Sequence, residues 1–158
     1  MKGINKYFYI IVISTIVILS IESFIGFKQV SDRKIDYDIA KNAITNIKSK
    51  TDLEKSIKDL DDIESKYGDI YIVHLNKADA YFNLKKYDKS IDELNECFIA
   101  QPEVKDNAKL VYLYGKIEYL NGDLKGSKEA IEKAKELGIL ETDINQEDLK
   151  FIEEVTKE

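Results

Sequence analysis

Chemistry in this chain would have to come from few residues. Cys97 is the only cysteine and His74 the only histidine among 158 residues. A cysteine beside a histidine is the arrangement of a thiolate nucleophile and its general base. That chemistry needs an exposed cysteine in electropositive surroundings. Nothing local supplies positive charge, and both residues fall on inward faces of the helical pattern described below. Cys97 is therefore expected to pack as a small apolar residue. One histidine and one cysteine exclude metal centres built from His/Cys clusters. The acidic run KDLDDIE (58–64) lacks the glycine and the alternating ligands of a calcium loop, and its pattern is helical. It reads as a solvated helix face. The seven glycines form no phosphate-binding pattern. A net charge of −6, with Arg33 the only arginine, argues against nucleic acid. No catalytic residue, metal, cofactor or small-molecule substrate is expected, and the protein is not expected to be an enzyme.

The elements that carry these residues repeat. KTDLEKSIKDLDDIESKYG (50–68) and KKYDKSIDELNECFIAQP (85–102) share Lys-Ser-Ile with a leucine three residues on. Aligned on Ser56 and Ser90, the first window presents Leu53, Ser56, Ile57, Leu60 and Ile63. The second presents Tyr87, Ser90, Ile91, Leu94 and Cys97. A third window offers Leu124, Ser127, Ile131 and Ala134. Spacings of three and four place each set on one face of an amphipathic helix. A second helix precedes each window. Their inward faces are Ile39, Ala43, Ile44 and Ile47; then Val73, Ala78, Tyr81 and Leu84; then Val111, Tyr114, Gly115 and Leu120. Of the turns between paired helices, only Asn121-Gly122-Asp123 carries strong turn chemistry.

This pattern resembles the tetratricopeptide repeat (TPR) family, whose 34-residue motif sets small and aromatic residues at fixed positions in a helix pair. Ala78, Tyr81, Tyr87, Asp88, Ser90, Leu94, Cys97 and Pro102 match in the middle repeat. Gly115, Ser127, Ile131 and Ala134 match in the third, and Ile44, Ser56, Leu60 and Ile63 match loosely in the first. His74 and Lys77 depart from it, standing where a bulky aromatic and a leucine are usual, and Glu118 replaces a tyrosine. Three extra residues between the second and third repeats are expected in the loop after Pro102. The resemblance implies an all-α fold, an α-solenoid of about three helix pairs. The expected repeats are 37–70, 71–104 and 108–141. Residues 142–158 follow as a polar-faced capping helix, with Asn145 as N-cap, Asp148 three residues on, and Leu149, Ile152 and Val155 facing inward.

In TPR-like proteins the first helix of each pair lines a groove that binds extended peptides or partner helices. Carried over by alignment, the groove would present Leu75, Asp79, Phe82, Asn83, Lys109, Tyr112, Lys116 and Tyr119. Ile72, Lys41, Thr45 and Lys48 fall on the same faces. Phe82, Tyr112 and Tyr119 are candidate aromatic anchors, and some of these side chains could instead be partly buried packing residues. A clamp for a C-terminal carboxylate is not expected: Lys41, Asn76 and Lys109 match such a set, but Thr45 and Leu113 do not.

The N-terminus is different. After a tail (1–6) with Lys2 and Lys6, residues 7–27 are apolar apart from Glu22. As a helix this run would span about 30 Å, the thickness of a hydrocarbon core. It is expected to be a transmembrane anchor, followed by a linker (28–36). A cleaved signal peptide is the rival, although Ile21-Glu22-Ser23 and Phe24-Ile25-Gly26 are poor cleavage sites. Lys28, Arg33 and Lys34 on the far side pull the other way, but a six-residue tail with Lys2 and Lys6 favours a cytoplasmic N-terminus and a C-terminal domain on the outer, extracytoplasmic side of the membrane. The expected function is a membrane-anchored scaffold for a protein or peptide partner. The alternatives are an assembly subunit that self-associates through its repeats, or a secreted protein after signal cleavage.

Overall fold

The computed structural model describes the backbone of residues 3–157 and the side chains of residues 15–157. It is all-α. Seven α-helices run α1 (Gly3–Lys48), α2 (Leu53–Tyr67), α3 (Tyr71–Asn83), α4 (Tyr87–Ala100), α5 (Ala108–Asn121), α6 (Leu124–Glu136) and α7 (Gln146–Val155) among the described residues. Two short 3-10 turns, Pro102–Asp106 and Ile139–Glu141, join α4 to α5 and α6 to α7. The first of them holds the extra residues expected after Pro102.

The chain divides into two compact units, Met1–Lys41 and Asn42–Glu158. In the first unit α1 runs unbroken through 28–36, the stretch expected as a linker. The chain's one proline is Pro102, so nothing there removes a backbone donor or forces a kink. Ile16, Leu19, Phe24, Phe27 and Val30 are all more than half exposed. Residues 7–14 of the expected anchor lie outside the described side chains. Among the described residues no helix is long and apolar enough to cross a membrane.

In the second unit α3 packs along α4 and α5 along α6, each pair an antiparallel hairpin, and α4 packs on α5. All five residues of the first repeated window (Leu53, Ser56, Ile57, Leu60, Ile63) are buried. Leu94, Ile117, Ile131 and Ile139 form the centre of the core, each at most 1% exposed. Leu120 and Leu124 depart from expectation, at 43% and 63% exposed. Both lie at the tip of the α5/α6 hairpin, where the helices end and burial ends with them.

Small residues set how closely the helices approach. The Ser90 hydroxyl on α4 donates to the Ala78 carbonyl on α3 at 2.7 Å. A Cβ on Gly115 of α5 would come within 2.9 Å of Ile131 Cδ1 on α6. Interaxial distances at the short end of 8–10 Å require such residues at the contact.

The α1–α2, α3–α4 and α5–α6 turns share one hydrogen-bond device. Thr51 N–H donates to the Asn46 carbonyl (2.9 Å), Lys86 to Tyr81 (2.9 Å) and Asp123 to Glu118 (3.0 Å). Each bond reaches back five residues, the outer bond of a Schellman C-cap, and each follows a residue in the left-handed region. Those residues are Lys50 (φ 57°), Lys85 (φ 57°) and Gly122 (φ 92°). The turn geometry repeats even where the sequence supplies lysine rather than glycine.

Candidate interaction surface

The expected groove residues lie on α3 and α5, but their surroundings differ. On α3, Leu75 and Phe82 are half-buried against the cluster of Ala78, Leu94 and Ile117. The Phe82 ring lies 6.1 Å from that of Tyr87. Asn83 donates to the Asp79 carboxylate at 2.9 Å and to the Asp79 carbonyl at 2.8 Å. Burial raises the Asp79 carboxyl above its usual value, with Asn83 and Lys50 pulling the other way. Of the eight residues, Lys109 alone is exposed.

On α5 the surface already holds a helix. Asp148 in the first turn of α7 accepts from Lys116 at 2.6 Å and from the Tyr112 hydroxyl. Phe151, one turn on, meets Tyr119 edge-on at 5.1 Å and Tyr112 at 6.2 Å. Lys116 Nζ also stands 6.0 Å from the Phe151 ring centroid, within cation–π range. Tyr112 is driven well above the usual phenol range by burial first and by the Asp148 hydrogen bond second. The Asp148 carboxyl is held low despite its burial, because Lys116 and Tyr112 both donate to it.

Local sequence explains why α7 docks there. Asn145 accepts from Asp148 N–H at 2.9 Å and donates to the Asp148 carboxylate at 2.8 Å, a reciprocal N-cap. That fixes the carboxylate at the helix start, pointed at α5. Ile152, one turn on, is buried against Val111, Tyr112, Ile131, Ala134 and Ile139. A cavity of about 270 Å³ remains beside this contact, lined by Lys109, Leu113, Thr142, Asp143 and Ile144 among others. Asn76, part of the incomplete clamp set, is 9% exposed and donates to the Ile72 carbonyl at 2.6 Å.

A second polar assembly lies inside the repeats. Lys77 on α3 is nearly buried and pairs with Asp61 (2.7 Å) and Glu64 (2.9 Å) of α2 and with Glu93 of α4 (2.8 Å). Burial alone would pull the Lys77 ammonium down; its hydrogen bonds to Asp61, Glu93 and Glu64 outweigh that and hold it above its usual value. His74 Nδ1 stands 2.9 Å from Glu93 Oε2. The two residues that depart from the repeat pattern, His74 and Lys77, are therefore inward and polar, joined to carboxylates from both neighbouring helices. Cys97 is fully buried, and burial raises its thiol above the usual value. A thiol so placed is a poor nucleophile.

No family model matches the chain, and no curated protein matches it by sequence. Solved structures do match in fold. The second TPR domain of human RPAP3, in complex with an HSP70 peptide, superposes with a TM-score of 0.61 at 15% identity, covering 79% of this chain and 98% of that one. The TPR domain of Sgt2 from Aspergillus fumigatus gives 0.59 at 19% identity, covering 76% of each chain. The Yersinia enterocolitica type III secretion chaperone SycD, in complex with a peptide of the translocator YopD, gives 0.56 at 12% identity, covering 76% and 86%. The fold is that of a TPR domain.

Proposed function

We infer that the chain is a protein-interaction scaffold: a TPR domain that presents the faces of α3 and α5 to a peptide or helix of a partner, with no chemistry of its own. The observation that carries this reading is the seating of α7 on α5. That surface accommodates a helix through a carboxylate held by Lys116 and Tyr112 and a ring held by Tyr112 and Tyr119. A partner would continue along the same surface toward α3, over Leu75, Asp79 and Asn83, with Lys109 as the exposed cation. The peptides bound by RPAP3 and SycD lend support, since those domains share the fold.

Residues 7–27 would tether this domain to a membrane, with the repeats on the outer side. The exposed apolar side chains of α1 from Ile16 to Phe27 support a tether; Lys2 and Lys6 on the short N-terminal tail favour the outer side for the repeats, against the opposite pull of Lys28, Arg33 and Lys34. Protease treatment of intact cells, combined with a photocrosslinker at Lys109, tests both parts. Digestion of the repeats from outside and a crosslinked partner lost on Asp79→Lys are expected. Protection of the repeats refutes the orientation. Crosslinking only to a second copy of the chain refutes the scaffold reading in favour of self-assembly.

A further inference from the structure

The turn from α2 to α3 gathers three groups that the interaction surface does not use. One carboxylate oxygen each of Glu64 and Asp69 and one imidazole nitrogen of His74 lie within 4.8 Å of one another. Glu64 comes from the last turn of α2, Asp69 from the connecting turn and His74 from the first turn of α3.

The imidazole is set for a cation. Its Nδ1 faces Glu93 Oε2 at 2.9 Å. A carboxylate only accepts, so the shared proton sits on Nδ1. The other ring nitrogen, Nε2, belongs to a side chain 3% exposed and has no hydrogen-bond partner. Leaving a buried polar atom unsatisfied is costly. Glu64 Oε1 stands 3.8 Å from Nε2, beyond hydrogen-bond range. A proton on Nε2 would not reach Glu64 at that distance, whereas a metal ion between the two atoms would bond to both.

We propose that Glu64, Asp69 and His74 bind a divalent transition-metal ion of the zinc type, tying the end of α2 to the start of α3. Imidazole with carboxylate oxygens suits zinc and its first-row neighbours rather than calcium or magnesium. Glu93 behind His74 supplies the carboxylate–imidazole–metal arrangement that fixes the ligating tautomer. Lys77 is the opposing charge. It is already held by Asp61, Glu64 and Glu93, and with Asp69 four carboxylates gather around one ammonium and one imidazole. Metal–ligand bonds of about 2.0–2.2 Å place tetrahedral ligand atoms about 3.4 Å apart. Glu64 Oε1 and His74 Nε2, 3.8 Å apart, must draw together by a few tenths of an ångström, and Asp69, which is exposed, must turn in. Water completes the coordination.

The test uses tag-free full-length protein stripped with chelator and titrated with zinc chloride. Calorimetry reads affinity, and NMR follows the ring protons of the one histidine in the chain, His74. Saturation at one zinc per chain is expected, with the His74 ring resonances shifting in step. Asp69→Asn and Glu93→Gln should each weaken binding about 10- to 100-fold while helical circular dichroism is kept. Because Asp69 is an exposed turn residue, its variant separates lost ligation from lost folding. Ring resonances unmoved at saturating zinc, or an unchanged affinity in Asp69→Asn, would overturn the proposal.

Discussion

Lys116 of α5 and Asp148 of α7 form an ion pair at 2.6 Å, and Tyr112, one turn before Lys116, donates to the same carboxylate oxygen. This pair decides that part of the expected groove is occupied by the chain's own last helix. It also carries a pH dependence. The Asp148 carboxyl is held below its usual 3.8 in the folded protein, so it binds fewer protons folded than unfolded. Its contribution is present above pH 3.8 and is lost as pH falls through the lower folded value. Near-ultraviolet circular dichroism of the tyrosines should report loosening of α7 in that acid range. Asp148→Asn should remove that part of the transition and cost about 1 kcal/mol at pH 7, measured by urea unfolding.

Lys77→Ala should cost about 3 kcal/mol. It leaves Glu64 and Glu93 facing each other in a mostly dry space with no counter-ion. The low end of the usual range applies because Asp61 is half-exposed. Lys77→Met, which refills the volume, should cost less when paired with Glu93→Gln than alone. A double-mutant cycle in urea measures that coupling.

Ser56, Ser90 and Ser127 hold equivalent positions, all fully buried, yet only Ser90 has a hydrogen-bond partner. The same substitution should therefore act with opposite sign. Ser90→Ala should destabilise by about 1 kcal/mol, the worth of its bond to Ala78. Ser127→Ala removes an unsatisfied hydroxyl and improves helix propensity, and should stabilise by about 0.5 kcal/mol. Thermal unfolding of the two variants side by side distinguishes them.

Gly115→Ala sets helix propensity against packing. Alanine would gain about 1 kcal/mol in a helix interior. Its Cβ would stand 2.9 Å from Ile131 Cδ1 and 3.1 Å from Ala130 Cβ. The isoleucine tip can turn aside, but the Ala130 Cβ moves only with the α6 backbone. Overpacking of about 1–3 kcal/mol wins. A net loss of about 1 kcal/mol is expected, with Ile131→Val partly rescuing the variant.

The repeated windows were legible because each helix states its own buried face. Leu53, Ser56, Ile57, Leu60 and Ile63 recur at three and four and are buried together, whereas Leu124, at the hairpin tip, leaves the buried face of its window. The turns were less legible. Lys50 and Lys85 adopt the left-handed geometry of Gly122, although lysine gives no local sign of it. The C-cap bonds from Thr51 to Asn46 and from Lys86 to Tyr81 require that geometry, so closure of the helix end overrides the residue's own preference. Counting histidine and cysteine speaks only to sites built from those residues, and the grouping at the α2–α3 turn joins the one histidine to two carboxylates. Glu64 and Asp69 look like ordinary solvated acids until the fold sets them beside His74.

By itself the sequence determined what periodicity can encode: helix pairs, their inward faces, the small residues between them and the capping sequence at Asn145. Those features depend on neighbours within a turn or one repeat. Only the tertiary structure decided which polar groups meet. Lys77 lies among carboxylates from the flanking helices, and Lys116 and Tyr112 face Asp148 from α7. Such pairings depend on the position of one helix relative to another, and an inward lysine or histidine in a helical pattern does not name its partner.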